Sequence, residues 1–555
     1  MKRKHSHIEE EGEGGGGGGD DNDNSFEVEA VRRKIDVLTE LRNCISQSLS
    51  SARNSGGSRC SPFSLEMAAL LSRRGLTVAA AAAAGRFGEA LRECDTCLRD
   101  ATAVARGYVR ESGSAQAALD VLAESAVRDH IRGGQLSCTS AETAELAAAW
   151  GPDAVARAVG ALAREGALDF PWKRLSMGDP DALFRNVQAF ELAAVRAEDP
   201  QNRRIPNLGS QTRYRFLALT YGGPGRFLRY ASSLRDYDEA DVVTDYFQEE
   251  ARLSAVVRGS RESPLSDWRS GAGAERAAAR ILLRSPSGGN NGARRPLDPH
   301  ELREALWECG QENRASTPQE CTMFKATLAR TVYDLFGARD VLDFSAGWGD
   351  RLVGALAART VEAYLGVDPN AALRAGHEAI AARFAPAAGK DAARFAVLYE
   401  PFQTCALPAG RTFDLVFTSP PYFTKEIYTA APGQSVSDFP DFPSWVTRFF
   451  FAALAKAWGA LAAGGHMAIH ITDVKDAPCL CEMMALYVLA RLPGAAYLGM
   501  IGSLGDRGII RPIWVWRKLL PGESPIATSN SYPPATPEEA EDVARQKYPH
   551  IWKLI

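Results

Sequence analysis

The chain has 555 residues, 45% hydrophobic and 24% charged, the balance of an ordinary globular protein with length for about two to four domains. No apolar run approaches the ~18 residues that cross a bilayer, and the start MKRKHSHIEEEGEG lacks an apolar signal core, so a soluble intracellular protein with no membrane partner is expected. The net charge of −4 resides in residues 1–24, where Lys2, Arg3 and Lys4 face seven acidic residues; the rest is neutral, which neither demands nor excludes a basic groove.

Residues 1–25, with six successive glycines at Gly14–Gly19, cannot bury enough surface to offset ordering entropy and read as a disordered acidic tail. Residues 26–196 are rich in Ala, Leu and Arg with helical periodicity. Cys94 and Cys97 share a helix face there, and neither they nor Cys479 and Cys481 have a second pair at zinc spacing, so no metal is expected. Within the region, residues 139–174 read either as a helical hairpin with solvated arginines or as a winged helix-turn-helix carrying Arg157 and Arg164. Residues 197–284 mix Arg with Tyr and Phe, either a nucleic-acid surface or an aromatic domain edge. Residues 285–300 (SPSGGNNGARRPLDPH) are a linker.

Residues 301–520 change texture. Apolar runs at Val341–Phe344, Ala363–Val367, Phe395–Leu398, Leu415–Phe417, His466–Ile471, Tyr497–Ile501 and Ile513–Trp516 are mostly separated by helical stretches. This is the pattern of an α/β, doubly wound, mostly parallel seven-stranded sheet preceded by a mainly helical N-terminal region. GSLGDRGIIRP is too short for a crossover helix, so the last strand is predicted antiparallel to its neighbour. Residues 521–555 form a C-terminal extension.

Four successive strand ends carry chemistry. VLDFSAGWGDRL (Val341–Leu352) ends a strand in a turn where Gly347 and Gly349 let backbone approach a ligand, and a helix begins near Arg351. YLGVDPN places Asp368 at the second end, either as an acceptor for a ribose diol or as a helix N-cap. VLYEPFQT places Glu400 at the third, with Pro401 and Phe402 as an apolar wall. FDLVFTSPPYF places Ser419, Pro420, Pro421 and Tyr422 at the fourth, where two prolines stiffen the turn.

The order DFSAGWGD, GVDPN, TSPPY and the closing strand RPIWVWRK resembles the class I S-adenosylmethionine-dependent methyltransferases, and within them the exocyclic-amino methyltransferases of DNA bases that share an SPPY motif. The resemblance covers about residues 314–518. It implies S-adenosyl-L-methionine as cofactor, with Asp343, Ser345, Gly347 and Gly349 around its methionine moiety, Asp368 on the ribose, and Glu400 with Phe402 beside the adenine. Thr322, Phe324 and Lys325, just ahead of the first strand, are candidates for closing over its amino-acid end. The first turn departs from the family in carrying Phe344-Ser345.

On this reading the Ser419 hydroxyl and the Pro420 carbonyl accept hydrogen bonds from a base amine, Tyr422 stacks on a base that is flipped or single-stranded, and Phe423 extends that wall. Serine ahead of Pro-Pro-Tyr favours cytosine N4 in DNA; adenine N6 and an RNA base amine are the alternatives. Trp445 and Phe449, at i and i+4, read as core, and Arg507 and Arg511 as phosphate contacts or a solvated hairpin. A non-catalytic scaffold is disfavoured by the intact SPPY, and a nicotinamide-linked oxidoreductase by the spacing around Trp348.

Overall fold

The computed structural model describes residues 32–41, 43, 62–84, 86–108, 113–190, 194–195, 227–229, 240–257, 260–283, 295–312, 317–428, 433–504, 510–524, 534 and 536–555. The tail at 1–25, most of the 285–300 linker, much of the 197–239 stretch and Arg507 lie outside them. The chain divides into two compact units, residues 1–169 with 274–298, and residues 170–273 with 299–555. No helix among the described residues is long and apolar enough to cross a membrane.

The first unit is built on helices Pro62–Ala83, Phe87–Tyr108, Gly113–Arg128, Ser140–Trp150 and Pro152–Arg164, with a short hairpin at 131–136. Cys94 and Cys97 are both buried in their helix, and burial pushes each thiol up to about 11, which keeps it protonated. Among the described residues no His, Cys, Asp and Glu side chains group as metal ligands. Thr139 and Glu142 form a reciprocal capping box at the start of Ser140–Trp150. Gly151, at φ 86°, turns the chain into the next helix. Arg157 is bound to Asp120 at 2.8 Å, whereas Arg164 is exposed.

The second unit holds the sheet. Its strands are β1 (Asp340–Asp343), β2 (Ala363–Val367), β3 (Phe395–Leu398), β4 (Phe413–Thr418), β5 (Leu461–His470), β6 (Ala495–Leu504) and β7 (Ile510–Lys518), one for each apolar run in the sequence. They lie in the order β3-β2-β1-β4-β5-β7-β6, with only β7 antiparallel to its neighbours, which is the expected class I methyltransferase arrangement. Two short strands, Ala194–Val195 and Phe227–Arg229, continue the sheet beyond β6.

Both faces of the sheet are buried, which is why its strands read as continuous apolar runs. On β4, Val416 joins the layer containing Trp445, Phe450 and Trp514, while Leu415 and Phe417 join that containing Tyr333, Ile380 and Phe384. The segment 170–273, which composition separates from the sheet, packs onto it: Phe184 stacks on Phe384 at 4.3 Å, and Asp181 pairs with Arg383 at 2.8 Å. Helices α1 (Ala326–Phe336), α2 (Asp350–Ala357) and α3 (Arg374–Ala387) flank β1 and β2. Strand order reverses between β1 and β4, so the carboxyl ends of these two strands open a crevice at the switch point.

Candidate active site

A cavity of about 510 Å³ occupies that crevice. Its first wall is the β1 turn. Asp343 is fully buried and outside the cavity lining; its carboxylate accepts the Ser345 N–H at 3.2 Å, the Tyr364 hydroxyl at 2.7 Å and Arg351 Nε at 2.7 Å. Arg351 also donates to the Ser345 carbonyl and lies over the Phe324 ring at 5.1 Å. Burial would weaken the guanidinium's charge, but Asp343 holds its pKa above the ordinary arginine value.

Gly347 is clamped from both sides. Its N–H donates to Asp368 Oδ2 at 2.9 Å, and its carbonyl lies 2.9 Å from His377 Nε2. A carbonyl only accepts, so Nε2 carries the proton, and Nδ1 accepts the Tyr399 hydroxyl at 3.1 Å. The imidazole is neutral, its pKa pushed down to about 4 by burial. Asp368 Oδ1 accepts the Asn370 N–H at 3.0 Å. Burial pushes the Asp368 carboxyl up to about 6, against the two backbone N–H groups that favour its ionised form. Across the cavity, Phe344 and Phe402 stack at 5.1 Å, with Lys456 over Phe402 at 5.0 Å.

The wall at the end of β4 holds the SPPY stretch. Ser419 Oγ lies 3.1 Å from His470 Nδ1 and 3.2 Å from the His470 carbonyl oxygen at the end of β5. Burial, followed by the charges of Arg511 and Arg351, pushes the His470 imidazole down to about 3, so it is neutral. The Tyr422 hydroxyl donates to the His470 carbonyl at 3.4 Å, and the Tyr422 N–H donates to Glu426 Oε2 at 3.2 Å.

The segment ahead of α1 forms the remaining wall and is held from a distance. Glu320 bonds Arg252 and Arg303, the Cys321 carbonyl accepts Arg252 Nη1 at 3.3 Å, and Asp241 accepts the Thr327 N–H at 2.9 Å where α1 begins.

Of the residues expected at the site, Thr322, Phe324, Lys325, Ser345, Gly347, Asp368, Phe402, Ser419, Pro421 and Tyr422 line this one cavity. Asp343, Gly349 and Pro420 lie behind its wall, where they shape the turns. Glu400 is exposed and outside the lining; Pro401, Phe402 and Gln403 stand there instead. Phe423 is likewise absent from the wall: at φ 48° it turns inward onto Phe442 and Trp445. Trp445 is core as expected, while Phe449 beside it reaches the cavity.

Arg511 lines the cavity near Tyr422 and His470. Trp348, Asp350, Arg351, Glu426, Tyr428 and His470 also line it and were not anticipated. His470 had a readable signal, since it falls near the carboxyl end of an apolar strand run; Glu426 and Tyr428 had none.

No protein-family model and no curated protein matches the chain. Among solved structures it is similar to TrmN from Thermus thermophilus, at 17% identity over 40% of this chain and 67% of that one, with a TM-score of 0.25. It is also similar to the O-methyltransferase TomG from Streptomyces achromogenes in complex with SAM, at 14% identity over 39% and 87% of the two chains and a TM-score of 0.25. The N-methyltransferase NodS from Bradyrhizobium japonicum WM9 matches at 11% identity over 35% and 94%, with a TM-score of 0.24. Likenesses this distant leave the function to be read from the cavity itself.

Proposed function

We propose that this chain is an S-adenosylmethionine-dependent methyltransferase that acts on an exocyclic amine of a nucleic-acid base, cytosine N4 of DNA first. The carrying observation is that Gly347, Asp368, Ser419, Pro421 and Tyr422 line a single cavity at the switch point of the sheet.

The residues present fit the cofactor. Gly347, at φ +58° with no side chain, leaves its backbone open to close approach, Asp368 offers a carboxylate at the cavity wall, and Phe344 stacked on Phe402 forms an apolar wall. Ser345 and Gly347 would hold the methionine moiety, Asp368 the ribose, Phe402 the adenine, and Thr322, Phe324 and Lys325 the amino-acid end. When bound, S-adenosylmethionine supplies an electrophilic methyl on a sulfonium.

The chain's own part is positioning. A base amine is a poor nucleophile because its lone pair is delocalised into the ring. A hydrogen-bond acceptor at Ser419 Oγ, in the cavity wall, would favour a pyramidal nitrogen. Transfer of that methyl would join carbon to the amine nitrogen and leave the sulfur as a neutral thioether, and the amine, made acidic by its positive charge, would release its proton to water. The substrate base is flipped or single-stranded, since the cavity cannot be reached from inside a duplex.

Labelled S-adenosylmethionine incubated with DNA and with RNA, followed by digestion to nucleosides, tests this. Label in N4-methylcytosine supports it; label in N6-methyladenine or only in RNA changes the base or the polymer; label only in a non-nucleic substrate overturns it. Full activity in a Tyr422→Ala variant is inconsistent with the stacking role.

A further inference from the structure

The base side of the cavity carries two polar groups that the proposed reaction has not yet used, His470 and Arg511. Arg511 lies on β7 two residues before Ile513, which pairs with His470 of β5, so the topology brings both to the same edge of the sheet as Ser419. No ion pair of Arg511 is seen among the described residues, and its charge is the largest influence after burial on both His470 and Tyr422. It stands in the wall of the cavity with His470 and Tyr422, and the carboxylate of Glu426 lies in the same wall.

His470 offers Ser419 two acceptors. In one tautomer the hydroxyl proton goes to the ring nitrogen at 3.1 Å; in the other the ring donates to Ser419 Oγ and the hydroxyl turns to the His470 carbonyl at 3.2 Å. Either way the hydroxyl proton points at His470, which leaves Ser419 Oγ as an acceptor in the cavity wall, beside the Tyr422 hydroxyl. Ser419 thereby becomes an acceptor, with the N–H donors of Arg511 in the same wall.

We propose that His470 and Arg511 set the polarity of the base pocket: His470 positions Ser419 as an acceptor for the amine, and Arg511 donates to acceptors on the same base edge. The inference rests on the base-amine reading above. A cytosine edge presents an amine, then a ring nitrogen acceptor, then a carbonyl acceptor, and a planar fork of N–H donors matches the last two together. Adenine presents an amine and only one acceptor, and guanine places a ring N–H beside its amine, where a guanidinium repels it. Arg511 is therefore a specificity residue and His470 a positioning residue.

The test uses the full chain, labelled S-adenosylmethionine and heat-denatured genomic DNA, with label counted in methylated cytosine, adenine and guanine from one digest. Calorimetric binding of S-adenosylhomocysteine shows whether each variant remains folded. The wild type should label cytosine above adenine, with none in guanine. Arg511→Gln should lower cytosine labelling about 10-fold to 100-fold while adenine changes within about threefold, so that the ratio collapses.

His470→Gln, which retains an acceptor, should keep more cytosine activity than His470→Phe at equal binding of S-adenosylhomocysteine. Equal loss on cytosine and adenine in Arg511→Gln with binding retained overturns the inference. If Arg511→Gln loses binding, the two His470 variants decide: equal activities overturn it. A wild type that prefers adenine also overturns it while leaving methyl transfer to a base amine standing; a wild type that binds S-adenosylhomocysteine but labels no base overturns the underlying reading instead.

Discussion

Asp343 and Arg351 form a buried ion pair at 2.7 Å, with side chains 0% and 5% exposed; Arg351 reaches the cavity wall, whereas Asp343 stands behind it. The acidic residue at the end of the first strand thus works at one remove: it fixes Arg351, and Arg351 fixes the Ser345 carbonyl. Removing one partner leaves the other charge buried and alone, which costs about 3–5 kcal/mol, whereas replacing both with apolar side chains costs less. Asp343→Asn and Arg351→Met should each lower the midpoint of denaturant unfolding strongly, and the double variant should lose less than the sum of the two. Additive losses in that cycle, measured by urea unfolding, are incompatible with a coupled pair.

Asp368 gives the site a pH dependence of definite sign. Its carboxyl, pushed up to about 6, is ionised above that pH and protonated below it. A ribose diol donates best to the ionised form, so affinity for S-adenosylhomocysteine should fall as pH is lowered from about 7.5 to 5. Stability of the ligand-free protein should move the other way. A folded pKa above the unfolded value favours the folded state where the group is protonated, so this contribution is present below about 4 and lost as pH rises through 6. Asp350, pushed up to about 7 by burial, acts in the same direction. Titration calorimetry across this window should show the affinity trend, and Asp368→Asn should flatten it; unchanged affinity between pH 7.5 and 5 contradicts the assignment.

The sheet was legible because its strands are buried on both faces. Ala363–Val367, buried throughout, reads as an unbroken apolar run with the ends the structure gives it, and so does the edge strand Phe395–Leu398, although Ala396 on it is exposed. Helices and Gly or Pro turns punctuate the runs, so the strand ends that make the cavity could be named in order. Which side chain of a loop faces inward was not legible, because local pattern carries no information about it: Glu400 points to solvent and Phe402 inward, two residues apart. The supports of Thr322–Lys325 were also hidden. Arg252 and Asp241 lie 68 and 86 residues before their partners Glu320 and Thr327, and nothing in a charged residue's local sequence marks it as buried. The sheet unit takes in residues 170–273 for the same reason, since its contacts with α3 are long-range.

Those hidden supports lead to a third expectation. Lys173, Asp245, Glu249, Arg252, Arg303 and Glu320 form a buried network of three cations and three carboxylates. Burial alone would raise the Glu320 pKa, but Arg303 and Arg252 hold it well below the usual carboxylate range. Glu320→Gln leaves two guanidinium groups short of charge and frees the segment that carries Thr322, Phe324 and Lys325. Unfolding stability should drop by about 3 kcal/mol or more. Amide exchange at 321–325 should quicken more than at β4; a uniform change across the unit would mean that the network does not hold this segment in particular.

Gly347 and Gly349 separate two ways in which a glycine can be needed. Both have left-handed φ, +58° and +99°. A Cβ added at Gly347 meets nothing nearer than the Ser345 carbonyl at 3.9 Å, whereas at Gly349 it meets His377 Cδ2 at 3.0 Å and Ile380 Cδ1 at 3.1 Å. Alanine at 347 therefore bears only the conformational term, about 1 kcal/mol. At 349 overpacking adds about 1–3 kcal/mol and presses on the imidazole that bonds the Gly347 carbonyl. Gly349→Ala should be the less stable variant although it lies behind the wall, while Gly347→Ala, a modest loss in stability, should weaken S-adenosylhomocysteine binding by placing a methyl in the cavity. Thermal melts with and without ligand separate the two, and the opposite order of stabilities would contradict the geometry of this turn.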